Sequence, residues 1–221
     1  MNLEKALNIA FALSIITITY NIAEGLVSVV FAIEDETLAL LGFGVDSFVE
    51  VISGMGIAHM IWRMKFGGGE KTDRFEKQAL RITGFAFFLL ATGLVAGAVL
   101  SFIQNNQPHT TMVGVIISLI SILTMYFLMC YKLKIGRILG SDAVIADANC
   151  TRSCFYLSII LLASSGLYEI FQIGYIDTLG SLGIAWFAFN EGRESFGKAQ
   201  SGYLACCGSS YTCNPPDANK K

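Results

Sequence analysis

Charge is scarce in this sequence. Only 14% of the 221 residues are Asp, Glu, Lys or Arg, against ~25% in an average soluble domain. That shortage, with 54% hydrophobic residues and a mean hydropathy of +0.60, excludes disorder and an ordinary cytosolic domain. Basic excess is lacking too. The formal net charge is -2, which gives no footing for nucleic-acid binding, a function that needs a basic surface. Proline is nearly absent at 3 residues beside 22 glycines, which excludes collagen and is a mix familiar from membrane helices. No Cys-x-x-Cys pair occurs among the 6 cysteines, so the usual signature of thiol redox chemistry is missing.

What is present is long apolar runs. A spanning helix needs ~20 predominantly apolar residues, and six segments qualify, at roughly 6–33, 38–62, 79–103, 111–133, 143–171 and 175–196. The composition and these runs predict an all-α integral membrane protein, a six-transmembrane-helix bundle. The first run is too long for the apolar core of a secretory leader and continues through Glu24 without a small-residue cleavage site, so it reads as a span. Domain organisation follows: a six-helix transmembrane domain over 1–197 and a short Cys-containing cytosolic tail over 198–221.

Positive charge sets the expected orientation. Lys5 precedes span 1. Arg63, Lys65, Lys71, Arg74, Lys77 and Arg81 surround the link between spans 2 and 3. Lys132, Lys134 and Arg137 follow span 4, and Arg193, Lys198, Lys220 and Lys221 follow span 6. Every basic residue except Arg152, inside span 5, thus falls on one side, and both termini are expected to face the cytoplasm.

Ionisable residues inside a span are expensive and usually face the bundle interior or a water-filled path. Asp46 and Glu50 in span 2 are four apart and share one helical face. Asp147, Cys150 and Cys154 in span 5, at offsets of three and four, share another. With 1.5 Å of rise per residue, Asp46 and Glu50 lie roughly 12–18 Å from one membrane surface and the two cysteines roughly 10–17 Å from the other. Two carboxylates and two thiols therefore meet near the middle of a core ~30 Å thick. Zinc accepts both sulfur and carboxylate oxygen in a four-ligand shell, and thiolates bias the choice toward soft ions such as zinc or cadmium. Because ligands must be deprotonated, metal capture releases protons. Two plainer readings stand beside this one: the cysteines as small packing residues, and the carboxylates as partners of Arg152.

The residues Ala39-Leu-Leu-Gly-Phe-Gly-Val-Asp46-Ser-Phe-Val-Glu50-Val-Ile-Ser53 resemble the second-helix motif of the cation diffusion facilitators. Ser141-Asp-Ala-Val-Ile-Ala-Asp147-Ala-Asn-Cys150-Thr-Arg-Ser-Cys154 resembles the fifth-helix motif, in which Ala-Asp-Ala leads into His-x-x-x-Asp. The Gly-Phe-Gly-x-Asp-Ser-x-x-Glu run and the ending around Glu191-Gly-Arg193-Glu194 are similar to the short branch that includes transmembrane protein 163 and bacterial relatives. The resemblance covers roughly 5–197. It implies that Asp46, Glu50, Cys150 and Cys154 hold the transported metal, that transport exchanges metal for protons, and that the site sits between moving helix bundles. Cys150 and Cys154 stand where the family has His and Asp, which makes Asp147 a substitute ligand, and with residues 198–221 following span 6 the family's large cytosolic metal-binding domain is not expected here.

The expectation is a divalent-cation exporter, not an enzyme, with no prosthetic group, zinc or a similar soft ion as cargo, and protons as counter-ion. The expected setting is the plasma or bacterial inner membrane, with a vesicle membrane as the alternative, and a homodimer is the expected assembly. Two other classes remain open: a non-transporting membrane scaffold or regulator, and an intramembrane thiol oxidoreductase using Cys150/Cys154 or Cys206/Cys207. Glu24, Glu34, Asp35, Glu36, Glu169 and Asp177 form either an acidic exit funnel or simple solvated ends. Gly93 and Gly97 permit close helix contact, within the bundle or between subunits. His59 and His109 read as solvated side chains. Cys206, Cys207 and Cys213 suit either metal capture or a flexible, weakly binding tail.

Overall fold

The computed structural model describes residues 3–66, 74–104, 108, 111–173 and 175–201. Lys71, His109, Lys220, Lys221, and Cys206, Cys207 and Cys213 of the expected tail lie outside the described residues. Six long helices account for nearly everything described: α1 (Leu3–Glu34), α2 (Leu38–Lys65), α3 (Arg74–Gln104), α4 (Met112–Leu139), α5 (Asp142–Phe171) and α6 (Tyr175–Ser201).

Among the described residues, five helices are long and apolar enough to cross a membrane, and α6 is the exception. The apolar run of α6 is cut short by Asp177 at one end and Glu191, Arg193 and Glu194 toward the other. At 27 residues it still exceeds the ~20 that a crossing needs. Several helices also outrun their apolar segments: α3 starts at Arg74 and α4 reaches Leu139. The flanking Arg, Lys, Gln, Ala and Leu residues are strong helix formers, so the backbone stays helical where the apolar run has already ended.

Helix ends follow local chemistry. Gly140 closes α4 in the left-handed conformation, φ 60°, with its N–H on the Arg137 and Gly136 carbonyls. That conformation suits glycine, which has no Cβ to clash. Ser141 then caps α5, its hydroxyl accepting from the Val144 N–H.

The helices form a ring in the order α1, α2, α3, α6, α5, α4, back to α1, and α2 also crosses the middle to touch α5 and α6. Helix α1 is inverted relative to one in a soluble protein. Ser14, Thr17, Asn21, Glu24 and Ser28 are buried along one face of α1, while Ile16, Leu26, Val30 and Ile33 are exposed. Lipid satisfies apolar side chains as well as a core does, so polar residues turn inward, where partners exist. An apolar cluster including Leu40, Phe43, Leu94, Leu157, Leu161 and Ile184 fills the half of the bundle where α2 begins and α5 ends.

The α1–α2 crossing is close because it is made of glycine. A Cβ added to Gly44 would stand 2.8 Å from the Ser28 Cβ and 3.0 Å from the Val29 nitrogen. One added to Gly25 would stand 3.0 Å from the Gly44 carbonyl oxygen. Of the Gly93/Gly97 pair, Gly97 receives the Leu38 side chain of α2, whereas nothing lies within 4 Å of a Cβ on Gly93. Gly97 therefore serves packing within the chain.

Gly44→Val should lower stability by about 1–3 kcal/mol, the usual penalty for overfilling a tight contact, because backbone as well as side chain stands in the way. Gly93→Ala should cause no loss. Thermal unfolding of the purified protein in detergent checks both.

Candidate functional site

Glu50 and Cys154 meet across the α2–α5 interface, the Cys154 thiol donating to Glu50 Oε2. The same oxygen accepts a 3.2 Å bond from the side-chain amide of Asn21 on α1. Three helices thus converge on one carboxylate oxygen. The contact agrees with the depth matching of spans 2 and 5, and no ion pair joins Arg152 to Asp46 or Glu50 among the described residues.

Glu50, Cys150, Cys154 and Asp147 line one cavity together with Thr17 and Asn21. It lies on the side of Glu50 away from the apolar cluster, toward the end where α5 begins. Space for the centres of water-sized bodies amounts to about 40 Å³, and one water needs roughly 10–15 Å³ on that measure. An ion with little of its hydration shell fits there; an organic substrate does not.

Asp46 takes a different position from the one its spacing suggests. It sits a turn farther along α2 toward the apolar cluster, 2% exposed, outside the cavity lining. Its Oδ1 is buried without a hydrogen-bond partner. Glu24, Glu50 and Glu191 all lie within electrostatic reach of it. Among the described residues no three His, Cys, Asp or Glu side chains are close enough together to hold a metal ion. Glu50 and Cys154 touch, Cys150 and Asp147 flank the same space, and Asp46 stands apart.

Asp147 is already engaged. Lys132 Nζ lies 2.9 Å from its Oδ1, and the Ser14 hydroxyl donates to Oδ2 at 2.8 Å. Lys132 also donates to Thr151 Oγ1 at 3.0 Å. These bonds tie α1, α4 and α5 together and occupy both carboxylate oxygens of the expected substitute ligand. Lys132 itself corrects the sequence reading. It is 1% exposed, inside α4 and inside the bundle, and so is not one of the loop charges that orient the chain.

The acidic groups expected at an exit are also put to structural use. Glu24 is buried, accepting from the Tyr20 hydroxyl at 3.0 Å and the Ser47 hydroxyl at 3.3 Å. Asp177 accepts the Leu38 and Ala39 N–H groups at 2.8 and 3.3 Å, so a carboxylate on α6 caps the N-terminus of α2. Glu169 holds the Thr111 N–H at 2.5 Å, just ahead of α4. These three join helices rather than line an open mouth. Cys130 is exposed and away from the cavity. His59 is half-buried near the Trp62 ring.

Asn21, Lys132 and Glu191 were not singled out as site residues from the sequence, yet each belongs to this region. Glu191 lines the cavity and accepts from the Ser153 hydroxyl at 2.7 Å. The signal for Asn21 was available: polar residues at 14, 17, 21, 24 and 28 recur with the spacing of one helix face. Lys132 gave no such signal, because a lysine near the end of an apolar run is commonly a solvated flank.

Removing Lys132 should be costly. In Lys132→Met, Asp147 loses its counter-charge while buried, and loss of one partner of such a pair typically destabilises by about 3–5 kcal/mol. Adding Asp147→Asn should restore much of that loss. Unfolding transitions of the two variants in detergent measure the difference, and equal stability of Lys132→Met and the parent would contradict the pairing.

No curated protein matches the chain. The sequence model of the cation efflux transmembrane domain, however, matches residues 9–200, a stretch that takes in all of the cavity-lining residues and the two motifs on α2 and α5. With that match over most of its length, the chain belongs to the cation efflux family, membrane transporters that export metal cations.

Proposed function

We propose that this protein exports a soft divalent cation, zinc or one like cadmium, from the cytoplasm in exchange for protons, through a site between α2 and α5. The observation that carries the reading is the Glu50–Cys154 contact in the wall of an ion-sized cavity. A carboxylate and a thiol held together inside a membrane bundle have few other uses. Both are zinc ligands, and the sulfur favours soft ions over magnesium and calcium.

In this reading the empty site keeps a proton between sulfur and oxygen. An arriving cation takes the place of that proton, since the ligands bind metal in their deprotonated forms. Cys150, one helical turn from Cys154, and Asp46, one turn from Glu50, complete the shell as the helices adjust. The cavity lies toward the end of the bundle that carries the basic residues, the cytoplasmic end by the positive-inside rule. The apolar cluster and the Asp177 cap close the opposite half. The arrangement is that of a transporter ready to load from the cytoplasm. Release then requires the two halves to exchange roles by rocking of helices about the site. The protein acts as a secondary transporter in the plasma or bacterial inner membrane, with both termini cytoplasmic. The proposed assembly is a homodimer.

Proteoliposomes test the reading. An acid interior should drive zinc uptake, and zinc added outside should alkalinise the interior as protons leave. Glu50→Gln and Asp46→Asn should reduce uptake to background while the protein stays folded. Cys150→Ser with Cys154→Ser should impair cadmium more than zinc. Uptake indifferent to the pH gradient would replace antiport by passive conduction, and no uptake by the parent under any gradient would favour a non-transporting regulator.

A further inference from the structure

Among the described residues, Asn21 is the one that both lines the cavity and holds a buried side-chain oxygen without a partner. Its side chain is buried at 2% exposure and lines the cavity beside Glu50, Cys150 and Cys154. Its amide nitrogen donates to Glu50 Oε2, but its Oδ1 is buried with no partner. Buried carbonyl oxygens are nearly always satisfied, and an exception calls for an ion, a water or a function. On the same face of α1, Ser14 and Thr17 bond to backbone carbonyls or to Asp147 and Glu24 is held by Tyr20 and Ser47, while the unpartnered Ser28 hydroxyl lies outside the cavity. Asn21 is the member of that stripe that faces the cavity and keeps an acceptor in reserve.

We infer that Asn21 is a ligand of the transported cation, so that α1 contributes to the site alongside α2 and α5. The inference rests on the transport site proposed above and adds a residue to it. A side-chain amide can serve both states of the site. With no cation, its N–H steadies Glu50. With a cation on Glu50 Oε2, a half-turn of the amide group brings Oδ1 to where the nitrogen was.

The spacing suits this exchange. Two oxygen ligands at ~2.0 Å from a tetrahedral ion stand roughly 3.3 Å apart, and the present nitrogen-to-oxygen distance is 3.2 Å. The amide already stands at the spacing of a second oxygen ligand relative to Glu50 Oε2. Its oxygen is neutral, so it fills a coordination position without adding anionic charge, which favours selective capture combined with ready release.

Cobalt(II) binding to the full-length protein in detergent is the test, because its d–d bands report the ligand set and a sulfur-to-cobalt band reports Cys154. Asn21→Ala should bind cobalt ~10-fold or more weakly, with altered d–d bands and the sulfur band retained. Retention of the sulfur band separates loss of one ligand from collapse of the site. Asn21→Asp, which keeps an oxygen at the same reach, should recover binding with shifted d–d bands. It also decides the matter if Asn21→Ala does not fold. Parental affinity and spectrum in Asn21→Ala, or unshifted bands in Asn21→Asp, would overturn the inference. Glu50→Gln tells the two proposals apart. If it abolishes cobalt binding while Asn21→Ala does not alter it, only the role of Asn21 falls; if Glu50→Gln also binds cobalt like the parent, the site between α2 and α5 falls with it.

Discussion

Hydrocarbon offers no hydrogen bonds, and that constraint organises this bundle. A polar side chain facing lipid has few partners, so many of the serines, threonines and charged residues turn toward neighbouring helices, while exposed Thr19 and Thr92 bond to carbonyls of their own helices. The inward stripe of α1, from Ser14 to Ser28, meets α2 through Ser47 and α5 through Asp147. Ser158 on α5 reaches Ser121 on α4 at 2.8 Å. The result is a column of polar groups, most of them hydrogen-bonded to one another, running between the helices.

Against that background the incompletely satisfied groups stand out. Asp46 Oδ1 and Asn21 Oδ1 are both buried without partners, as are oxygens of Ser28, Asp35, Thr37 and Thr83; Asn21 bonds Glu50 through its nitrogen, and Asp46 lies one helical turn from Glu50. Asp147, by contrast, is fully engaged by Lys132 and Ser14. The bundle therefore sorts its acidic residues into two kinds. Asp147, Asp177 and Glu169 fasten helices together. Glu50 instead accepts from Cys154 and Asn21 in the cavity wall, and Asp46 keeps a buried oxygen without a partner.

Much of this was legible in the sequence. The apolar runs match six helices in the right order, and Glu50 with Cys150 and Cys154 marked the interface where α2 meets α5, while the i, i+4 spacing did not foretell that Asp46 lies outside the cavity. The depths of Glu50 and the two cysteines matched because both are set by the fixed rise of a helix. Other features were not legible, for physical reasons. Helix ends follow capping and propensity, so α3 and α4 extend past their apolar runs. Burial of Lys132 depends on the rotation of α4 about its axis, which hydropathy does not determine. The capping roles of Asp177 and Glu169 arise between helices distant in sequence, where spacing carries no information.

The central claim is that a cation sits between the carboxylate of Glu50 and the thiol of Cys154. X-ray absorption at the zinc edge, on the zinc-loaded protein, tests it directly. The account predicts a mixed shell, with sulfur at ~2.3 Å and lighter oxygen or nitrogen ligands at ~2.0–2.2 Å, and loss of the sulfur contribution in the variant carrying both Cys150→Ser and Cys154→Ser. A shell of oxygen and nitrogen alone in the parent protein would contradict it.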